Sequence, residues 1–307
     1  MALRAVDEAA PPQTMAQCLQ QAQGATMAAI ENGTKLVEVE FPPLPADVLE
    51  AAETSAYDVS RANTELAIKF ASALRMPTAV VYPDAAELER SVEDCGTDQP
   101  APNVTLHALR RPFVEAANLG DALLGLIGRG DSLIKAIDDV EAYVCLTFSA
   151  QELPDLEKLC ELEEFRKPVI LFNLKLDTQR GDLGLPAFPG KDLQWRFLSR
   201  VKPAYYLRTR QYSLSLPTPP FILNYQGAIF RCYPGKYQSL LDTGGGAYRC
   251  VKAQDQRPAL GEFKDTLTSA LKFEDSKMQK FARTGYKAIT WWEEDKDNNE
   301  LFSDWRH

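Results

Sequence analysis

The sequence predicts an α/β protein with a mostly parallel, doubly wound (Rossmann-like) sheet and an antiparallel extension at one edge near the C-terminus. Three observations indicate this fold class. Strand-like apolar segments alternate with segments of helical periodicity over the first two thirds of the chain. Residues 168–174 (PVILFNL) are apolar almost throughout, as expected for a parallel strand that is covered on both faces. After residue 221, strand-like segments follow one another without a long helix between them, which indicates antiparallel pairing.

The elements of the first half are assigned from apolar spacing and from the residues that end each segment. Asn32-Gly33 and Pro77 are helix stop signals, and Asp84 with Glu87 forms a capping-box pattern that begins a helix. The predicted order is a helix over residues 13–31, a strand over 35–41, a helix over 58–75, a strand over 79–82, the helix after Asp84, and a strand over 103–109.

The second half begins with a segment, residues 110–139, whose glycines interrupt an apolar pattern and predict a broken helix. Ser149 and Glu152 form a second capping-box pattern, for a helix that reaches about Phe165. The triple glycine at 244–246 lies in a predicted hairpin loop, where we favour a flexible turn over phosphate binding. Strands are predicted over 142–148, 168–174, 204–209, 221–233 and 248–254, and helices over 192–201 and 258–281.

The length of 307 residues allows two domains, but one continuous domain is the better prediction. We find no internal repeat, no low-complexity linker and no sharp change in composition. The predicted organisation is therefore a flexible N-terminus over residues 1–12, a single α/β domain over 13–287, and an aromatic, acidic tail over 288–307.

Charge and hydropathy exclude several classes of protein. Lys and Arg number 34 and Asp and Glu number 43, and a net charge of −9 disfavours general binding to nucleic acid. No apolar run has the length of about 20 residues that a membrane-spanning helix needs. The first residues are acidic and resemble neither a secretory signal nor a transit peptide. We expect a mature form if the protein is imported into an organelle.

The six cysteines predict neither a metal site nor a disulfide framework. None forms a C-x-x-C pair, and the chain has only two histidines, so zinc-site spacing is absent from the sequence. Unpaired thiols in a reducing compartment are the favoured interpretation. The alternative is a redox-sensitive pair of Cys232 and Cys250, if these residues lie on adjacent antiparallel strands. The sequence predicts no cofactor.

The candidate binding residues follow the predicted strands, because ligands of open α/β sheets lie beyond the carboxyl ends of the strands. No glycine-rich phosphate motif follows any of them. The loop after strand 168–174 is the most informative segment, and it contributes the candidates Asn173, Asp177, Arg180 and Asp182. Its position favours a ligand or partner surface. A salt-bridged loop that orients the following helix is the alternative that we prefer.

Arg208 and Arg210 are the second pair of candidates. Strand alternation places both side chains on one face, between Tyr206 and Tyr212. Two interpretations remain open at the level of sequence. In the first interpretation, the two guanidinium groups bind a carboxylate or phosphate of a ligand. In the second, they form structural ion pairs with Asp177 or Asp182.

Catalytic residues are not predicted. A Ser–His or Cys–His mechanism would need His107, for which a packed or surface position is the favoured interpretation. Trp291 and Trp292 in the tail either pack back onto the domain, which we favour, or form a recognition element for a partner.

Several separated strings occur in the order that is found in a known family. They are residues 36–45 (LVEVEFPPLP), 168–185 (PVILFNLKLDTQRGDLGL), 191–198 (KDLQWRFL), 206–212 (YLRTRQY), 220–235 (PFILNYQGAIFRCYPG) and 285–295 (GYKAITWWEED). From about residue 13 onward, the chain resembles the plastid proteins of the Low PSII Accumulation 3 type. These contain a plant and cyanobacterial domain of unknown function that also occurs fused to a chloroplast adenylate kinase. The glycine-bearing segment 118–130 departs from the plant members.

The resemblance implies a non-catalytic, stromal and partly thylakoid-associated factor for photosystem II biogenesis. Such factors are thought to help the antenna protein CP43 to accumulate and assemble, together with other assembly proteins, and the family offers no agreed catalytic residues. The acidic charge favours membrane contact through a protein partner over adsorption to anionic lipid. Two alternatives remain: a domain that binds a small ligand such as a nucleotide or pigment precursor, and an unrecognised enzyme.

Overall fold

The structure is a computed structural model that describes residues 8–45, 48–49, 51–110, 134–180, 190–217, 219, 221–244, 247–271 and 300–307. Helices and strands alternate along the chain, as the sequence predicts. In chain order they are α1 (Met15–Glu31), β1 (Leu36–Glu40), α2 (Ala56–Ala73), β2 (Thr78–Tyr82), α3 (Ala85–Cys95), β3 (Val104–Ala108), β4 (Ala142–Cys145), α4 (Leu153–Leu162), β5 (Val169–Phe172), α5 (Leu176–Arg180), α6 (Lys191–Arg196), β6 (Lys202–Ser215), β7 (Ile222–Cys232), β8 (Tyr237–Asp242), β9 (Tyr248–Gln254) and α7 (Leu260–Ala270). Two 3-10 turns span Leu198–Arg200 and Asp304–Arg306.

The nine strands form one mixed sheet in the order β3-β2-β4-β5-β1-β6-β7-β8-β9. Strands β1 to β6 are parallel, and β7, β8 and β9 continue the sheet in antiparallel fashion from β6. The predicted fold class, a mostly parallel sheet with an antiparallel extension near the C-terminus, is confirmed. Every residue of β1, β2, β4 and β5 is buried, which explains their apolar sequences.

Helices cover both faces of the parallel part. Helices α1 and α2 pack on one face, where aromatic rings form a continuous row. Phe172 meets Phe41 with ring centroids 5.5 Å apart and Phe70 at 5.3 Å, and Tyr205 continues the row beside Phe41 at 6.0 Å. Helices α4 and α6 pack on the opposite face, and α7 covers the antiparallel strands through Phe263 and Leu267.

Of the two helix starts predicted from capping patterns, the one at Asp84 agrees with the structure and the one at Ser149 agrees in part, and Ser55 is a cap that was not predicted. Asp84 accepts a hydrogen bond from the backbone N–H of Glu87 at 3.0 Å and caps α3. Ser55, which caps α2, forms a capping box with Asp58. The backbone N–H of Ser149 does donate to Glu152 at 2.8 Å, but α4 begins only at Leu153 and ends at Leu162, before the predicted end near Phe165.

Strand β8 is the main element that the sequence does not indicate. Its residues Tyr237 to Leu241 are buried although polar and apolar side chains follow one another without a period of two. Because β8 lies between β7 and β9, the expectation that Cys232 and Cys250 occupy adjacent strands is wrong, and both thiols are free. The loop that contains Gly244 joins β8 to β9, and Gly244 adopts a φ of 98° there.

Strands β6 and β7 extend beyond their other neighbours as a two-stranded ribbon. Residues 202–206 of β6 pair with β1, and residues 227–230 of β7 pair with β8, whereas the hairpin pairing of β6 with β7 continues to Ser215 and Ile222. Strand β6 is therefore longer than the predicted strand over 204–209. Most of the broken-helix prediction for residues 110–139 and the end of the helix predicted over 258–281 lie outside the described residues. Among the helices described, none has the length and apolar character required to cross a membrane.

Gly227 marks the closest approach between β7, β8 and α7. A Cβ atom at this position would overlap the carbonyl oxygen of Leu240 and lie 2.7 Å from Cδ1 of Leu267. We predict that Gly227→Ala lowers the free energy of unfolding by about 1 to 3 kcal/mol, because the sheet and helix must move apart. Urea unfolding followed by circular dichroism measures the change.

Gly24 supplies the matched control, since it lies within α1 and a Cβ atom there meets no atom within 4 Å. Gly24→Ala should raise the free energy of unfolding by about 0.5 to 1 kcal/mol through helix propensity. Equal effects of the two substitutions would contradict the close packing at Gly227.

Candidate functional site

The two glutamates of β1, whose sequence is LVEVE, point away from the aromatic row because side chains alternate between the two faces of a strand. Val37 and Val39 face α1, so alternation directs Glu38 and Glu40 to the opposite face of the sheet. Both glutamates are buried, with 1% and 7% of their surface exposed. Carboxylates at such positions require nearby positive charge or hydrogen-bond donors.

A shift in the register of β1 against β6 brings the next groups to the same face. Beyond the shift, Val39 pairs with Tyr205 and Glu40 pairs with Tyr206. Tyr206 therefore lies on the glutamate side of the sheet, and alternation along β6 adds Arg208 and Arg210.

Asp177 of α5 is the centre of this group. The Tyr206 hydroxyl donates a hydrogen bond to Asp177 Oδ2, and Arg257 Nη2 donates to Oδ1 at 2.6 Å. Arg208 Nη1 and Arg210 Nη2 lie 3.5 and 3.6 Å from Oδ2. We name Glu38, Glu40, Asp177, Tyr206, Arg208, Arg210 and Arg257 together the Asp177 cluster.

Arg257, which lies between β9 and α7, links the cluster to the end of the chain. Its side chain is 4% exposed, its guanidinium carbon lies 4.1 Å from the centroid of the Tyr206 ring, and Nη1 lies 3.7 Å from Glu38 Oε2. Burial works to lower the pKa of Arg257, but Asp177, Tyr206 and Glu38 outweigh it and hold the pKa well above its ordinary value. The backbone N–H of Arg257 donates to the carbonyl of Arg306 at 2.8 Å, beside the buried Trp305.

Glu40 is the member whose protonation changes near neutral pH. Burial, and then the negative charge of Glu38, raise the pKa of Glu40 to about 7, against the opposing effect of Arg208. The backbone N–H of Lys175 donates to Glu40 Oε2 at 3.0 Å. With Glu40 ionised, the three carboxylates balance the three guanidinium groups, and with Glu40 protonated the cluster carries one excess positive charge.

Asn173 holds the strand ends together rather than facing a ligand. Its Oδ1 accepts a hydrogen bond from the backbone N–H of Phe41 at 2.8 Å, and its Nδ2 donates to Asn63 Oδ1 at 2.9 Å. The φ of 51° at this position suits asparagine, which tolerates the left-handed region. The amide therefore connects β5, β1 and α2.

The structure brings together three of the predicted site residues, Asp177, Arg208 and Arg210. Of the two interpretations left open for the arginines, the pairing with Asp177 is the one observed, and Arg208 Nη2 also donates to Thr178 Oγ1 at 2.7 Å. Arg180 is the last residue of α5. Its side chain, and the residues Asp182, Trp291 and Trp292, lie outside the described residues.

Four members of the cluster were not predicted as site residues: Glu38, Glu40, Tyr206 and Arg257. The alternation of β1 is visible in the sequence and predicts a strand, but it does not indicate that the glutamates are buried. Arg257 precedes a proline in a polar segment that carries no motif.

The remaining sequence candidates lie elsewhere. His107 is on β3 at the edge of the sheet, with Nε2 2.8 Å from Thr105 Oγ1. Within the described ranges, no group of three or more His, Cys, Asp or Glu side chains is arranged to hold a metal ion.

The fold and this site define an α/β protein whose charged residues beyond the parallel strands form an internal network. The chain belongs to the family described as a domain of unknown function, DUF1995, whose model matches residues 12–265. No curated protein and no solved structure matches the chain.

We predict that Asp177→Asn lowers the free energy of unfolding by about 3 kcal/mol or more. The substitution keeps the shape of the side chain but leaves the buried Arg257 without its closest counter-charge. Asp192→Asn is the control, because Asp192 pairs with Arg196 on the surface and has 72% of its side chain exposed. The control should change the free energy of unfolding by less than about 1 kcal/mol, as measured by urea unfolding.

Glu40 is predicted to make stability fall as pH rises. An unfolded glutamate releases its proton near pH 4.5, whereas the folded protein retains this proton up to about pH 7. The folded state therefore binds more protons between these values, and the stabilising contribution is lost as the pH rises through 7. Relative to Glu40→Gln, the wild type should lose about 2 to 3 kcal/mol between pH 5 and pH 8.

Urea unfolding at several pH values tests this, with Glu65→Gln as the control because Glu65 is an exposed residue of α2. Parallel stability profiles for the wild type and Glu40→Gln would contradict the assignment. The Glu65→Gln profile should follow that of the wild type.

Proposed function

We propose that the protein is a non-catalytic auxiliary factor for photosystem II biogenesis that assists the accumulation and assembly of CP43. It acts in the chloroplast stroma and associates in part with thylakoids. The proposal is supported by the resemblance over separated strings that run from residue 36 to residue 295, and it is compatible with membership of a family without an assigned activity.

The observation that carries the non-catalytic part is the internal pairing of the Asp177 cluster. Catalytic groups must contact a substrate, and those that follow parallel strands are the usual candidates. Here the carboxylate of Asp177 is engaged by a phenol and three guanidinium groups, and 8% of its side chain is exposed. The contacts of the Asp177 cluster connect β1, α5, β6 and the segment before α7. The cluster therefore has a structural role in our proposal.

Glu40 is the group that an enzyme would use, because buried acids with a pKa near 7 are common among general bases. In this structure 7% of the surface of Glu40 is exposed, and its carboxylate accepts a hydrogen bond from the backbone N–H of Lys175. In our proposal the proton of Glu40 therefore sets the net charge of the cluster and is not transferred to a substrate. The proposal assigns no cofactor.

Contact with a protein partner is assigned to the tip of the β6–β7 ribbon. Phe221 and Ile222 are adjacent residues at this tip, and 58% and 59% of their surface is exposed. The ribbon projects past β1 and β8, so a partner can approach it without disturbing the sheet. Adjacent apolar side chains on a projecting element are suitable for docking onto an apolar surface of a membrane-protein subunit.

The net charge of −9 supports attachment through a protein rather than through lipid headgroups. Anionic headgroups attract clusters of Lys and Arg and repel an acidic protein. Thylakoid association in this proposal therefore depends on the subunit that is bound.

The test is an affinity capture with the full-length protein and detergent-solubilised thylakoid membranes, followed by immunoblotting for CP43. We expect CP43, together with other photosystem II assembly proteins, to be enriched by the wild type. The double variant Phe221→Asn, Ile222→Thr should lose this enrichment, since asparagine suits the φ of 58° at position 221 and threonine suits a strand.

Leu162→Ser is the control variant, because Leu162 is an exposed leucine at the end of α4. It should retain CP43. Capture without any photosystem II component would contradict the proposed function. Retention of CP43 by the double variant would be compatible with the proposed function but would contradict the assignment of the ribbon tip as the contact surface.

A further inference from the structure

The geometry points to a second binding site, at the amino-terminal edge of the sheet, for a small phosphate monoester. Lys35, Arg200 and Lys202 form it. The site lies at the opposite ends of β1 and β6 from the Asp177 cluster and shares no residue with it. The inference is therefore independent of the proposed function.

Two lysines lie at the amino-terminal ends of the parallel strands β1 and β6 and line one pocket. Lys35 immediately precedes β1, Lys202 is the first residue of β6, and Lys202 is in register with Val37. Arg200 ends the 3-10 turn before β6. The open pocket between these residues has a volume of about 410 Å³, which is within the usual range for small-molecule sites.

The cations of this pocket lack carboxylate partners. Among the described residues, no Asp or Glu oxygen lies within ion-pair distance of Lys35, Arg200 or Lys202. Asp304 is the acidic residue that lines the pocket, so the lining has an excess of two positive charges. This is unusual in a chain with a net charge of −9, in which arginines elsewhere pair with carboxylates.

The guanidinium group of Arg200 is held in place before any ligand arrives. Its central carbon lies 3.8 Å from the ring centroid of Phe165 and 4.6 Å from that of Phe302. Stacking on aromatic rings engages the faces of the guanidinium plane and leaves its N–H edge for oxyanions. A pre-positioned donor binds with less loss of conformational entropy than a mobile one.

Lys202 is positioned by a third aromatic residue, Tyr233. Its Nζ lies 5.4 Å from the centroid of the Tyr233 ring, and the Tyr233 hydroxyl accepts a hydrogen bond from Asn32 Nδ2 at 3.1 Å. Asn32, in the turn between α1 and β1, therefore holds the Tyr233 ring in contact with Lys202.

The ligand class follows from charge and donor geometry. An excess of two positive charges matches a dianion, and a phosphate monoester is a dianion near pH 7.5. The planar fork of Arg200 can donate two parallel hydrogen bonds to phosphate oxygens, while the two ammonium groups act as point charges. The volume is larger than a phosphate group requires, so a small organic portion is expected beside it.

Isothermal titration calorimetry of the full chain with glycerol 3-phosphate tests the site, at pH 7.5 and low ionic strength. We expect saturable binding with one ligand per chain that weakens as NaCl is added. Arg200→Gln should weaken binding by about tenfold or more, because a bidentate charged contact is lost. Arg200→Lys keeps the charge without the planar fork and should fall between Arg200→Gln and the wild type.

Arg61→Gln is the matched control, since it removes one positive charge from an exposed ion pair on α2. Its dissociation constant should stay within about twofold of the wild type. Thermal unfolding checks that each variant folds, and Lys35→Gln, which should also weaken binding, replaces Arg200→Gln if that variant does not fold.

Two results would overturn the inference. One is the absence of saturable binding of glycerol 3-phosphate to the wild type. The other is equal weakening by Arg200→Gln and Arg61→Gln, which would indicate non-specific attraction. Titration of inorganic phosphate in parallel shows whether the organic portion contributes, and weaker binding of inorganic phosphate is the expected result.

Discussion

The buried contact of the Asp177 carboxylate with Arg257 fixes the segment that follows β9 against the parallel part of the sheet. Asp177 follows β5 in the parallel part, and Arg257 follows β9 at the far edge of the antiparallel part. The sequence separation of these residues is large, so the pair closes a long loop and brings Arg306 and the buried Trp305 onto the same face. Removal of either partner leaves the other charge buried with only its more distant counter-charges.

A buried ionic network contributes more to the choice of a single packing arrangement than to the net free energy of unfolding. An apolar cluster of the same volume would hold β6 against α5 at least as tightly, but it would accept several registers. Tyr206, Arg208 and Arg210 reach Asp177 only because the register shift between β1 and β6 turns them to the glutamate face. The network thereby selects one register for the long strand from which the whole antiparallel extension is built.

The sequence predicted the elements whose signals are local and missed those that depend on the sheet order. Apolar runs identify β4 and β5, and Asp84 identifies the start of α3, because burial and capping are encoded within a few residues. Strand β8 has no alternation because both of its faces are covered. The burial of Glu38 and Glu40 was not predicted, since nothing in LVEVE indicates that β1 lies between β5 and β6. The cluster could be found only in part, through Asp177 and the two arginines of β6.

The two ends of the parallel strands use positive charge in opposite ways. At the carboxyl end the guanidinium groups of the cluster pair with the buried carboxylates of Asp177 and Glu38. At the amino end, the guanidinium carbon of Arg200 lies 3.8 Å from the ring centroid of Phe165 and 4.6 Å from that of Phe302. In an acidic protein, a positive charge without a carboxylate partner attracts anions, because the repulsive field of the chain is locally reversed. The strand ends that α/β proteins usually reserve for ligands therefore stabilise the fold here, and the opposite edge is left to receive an anion.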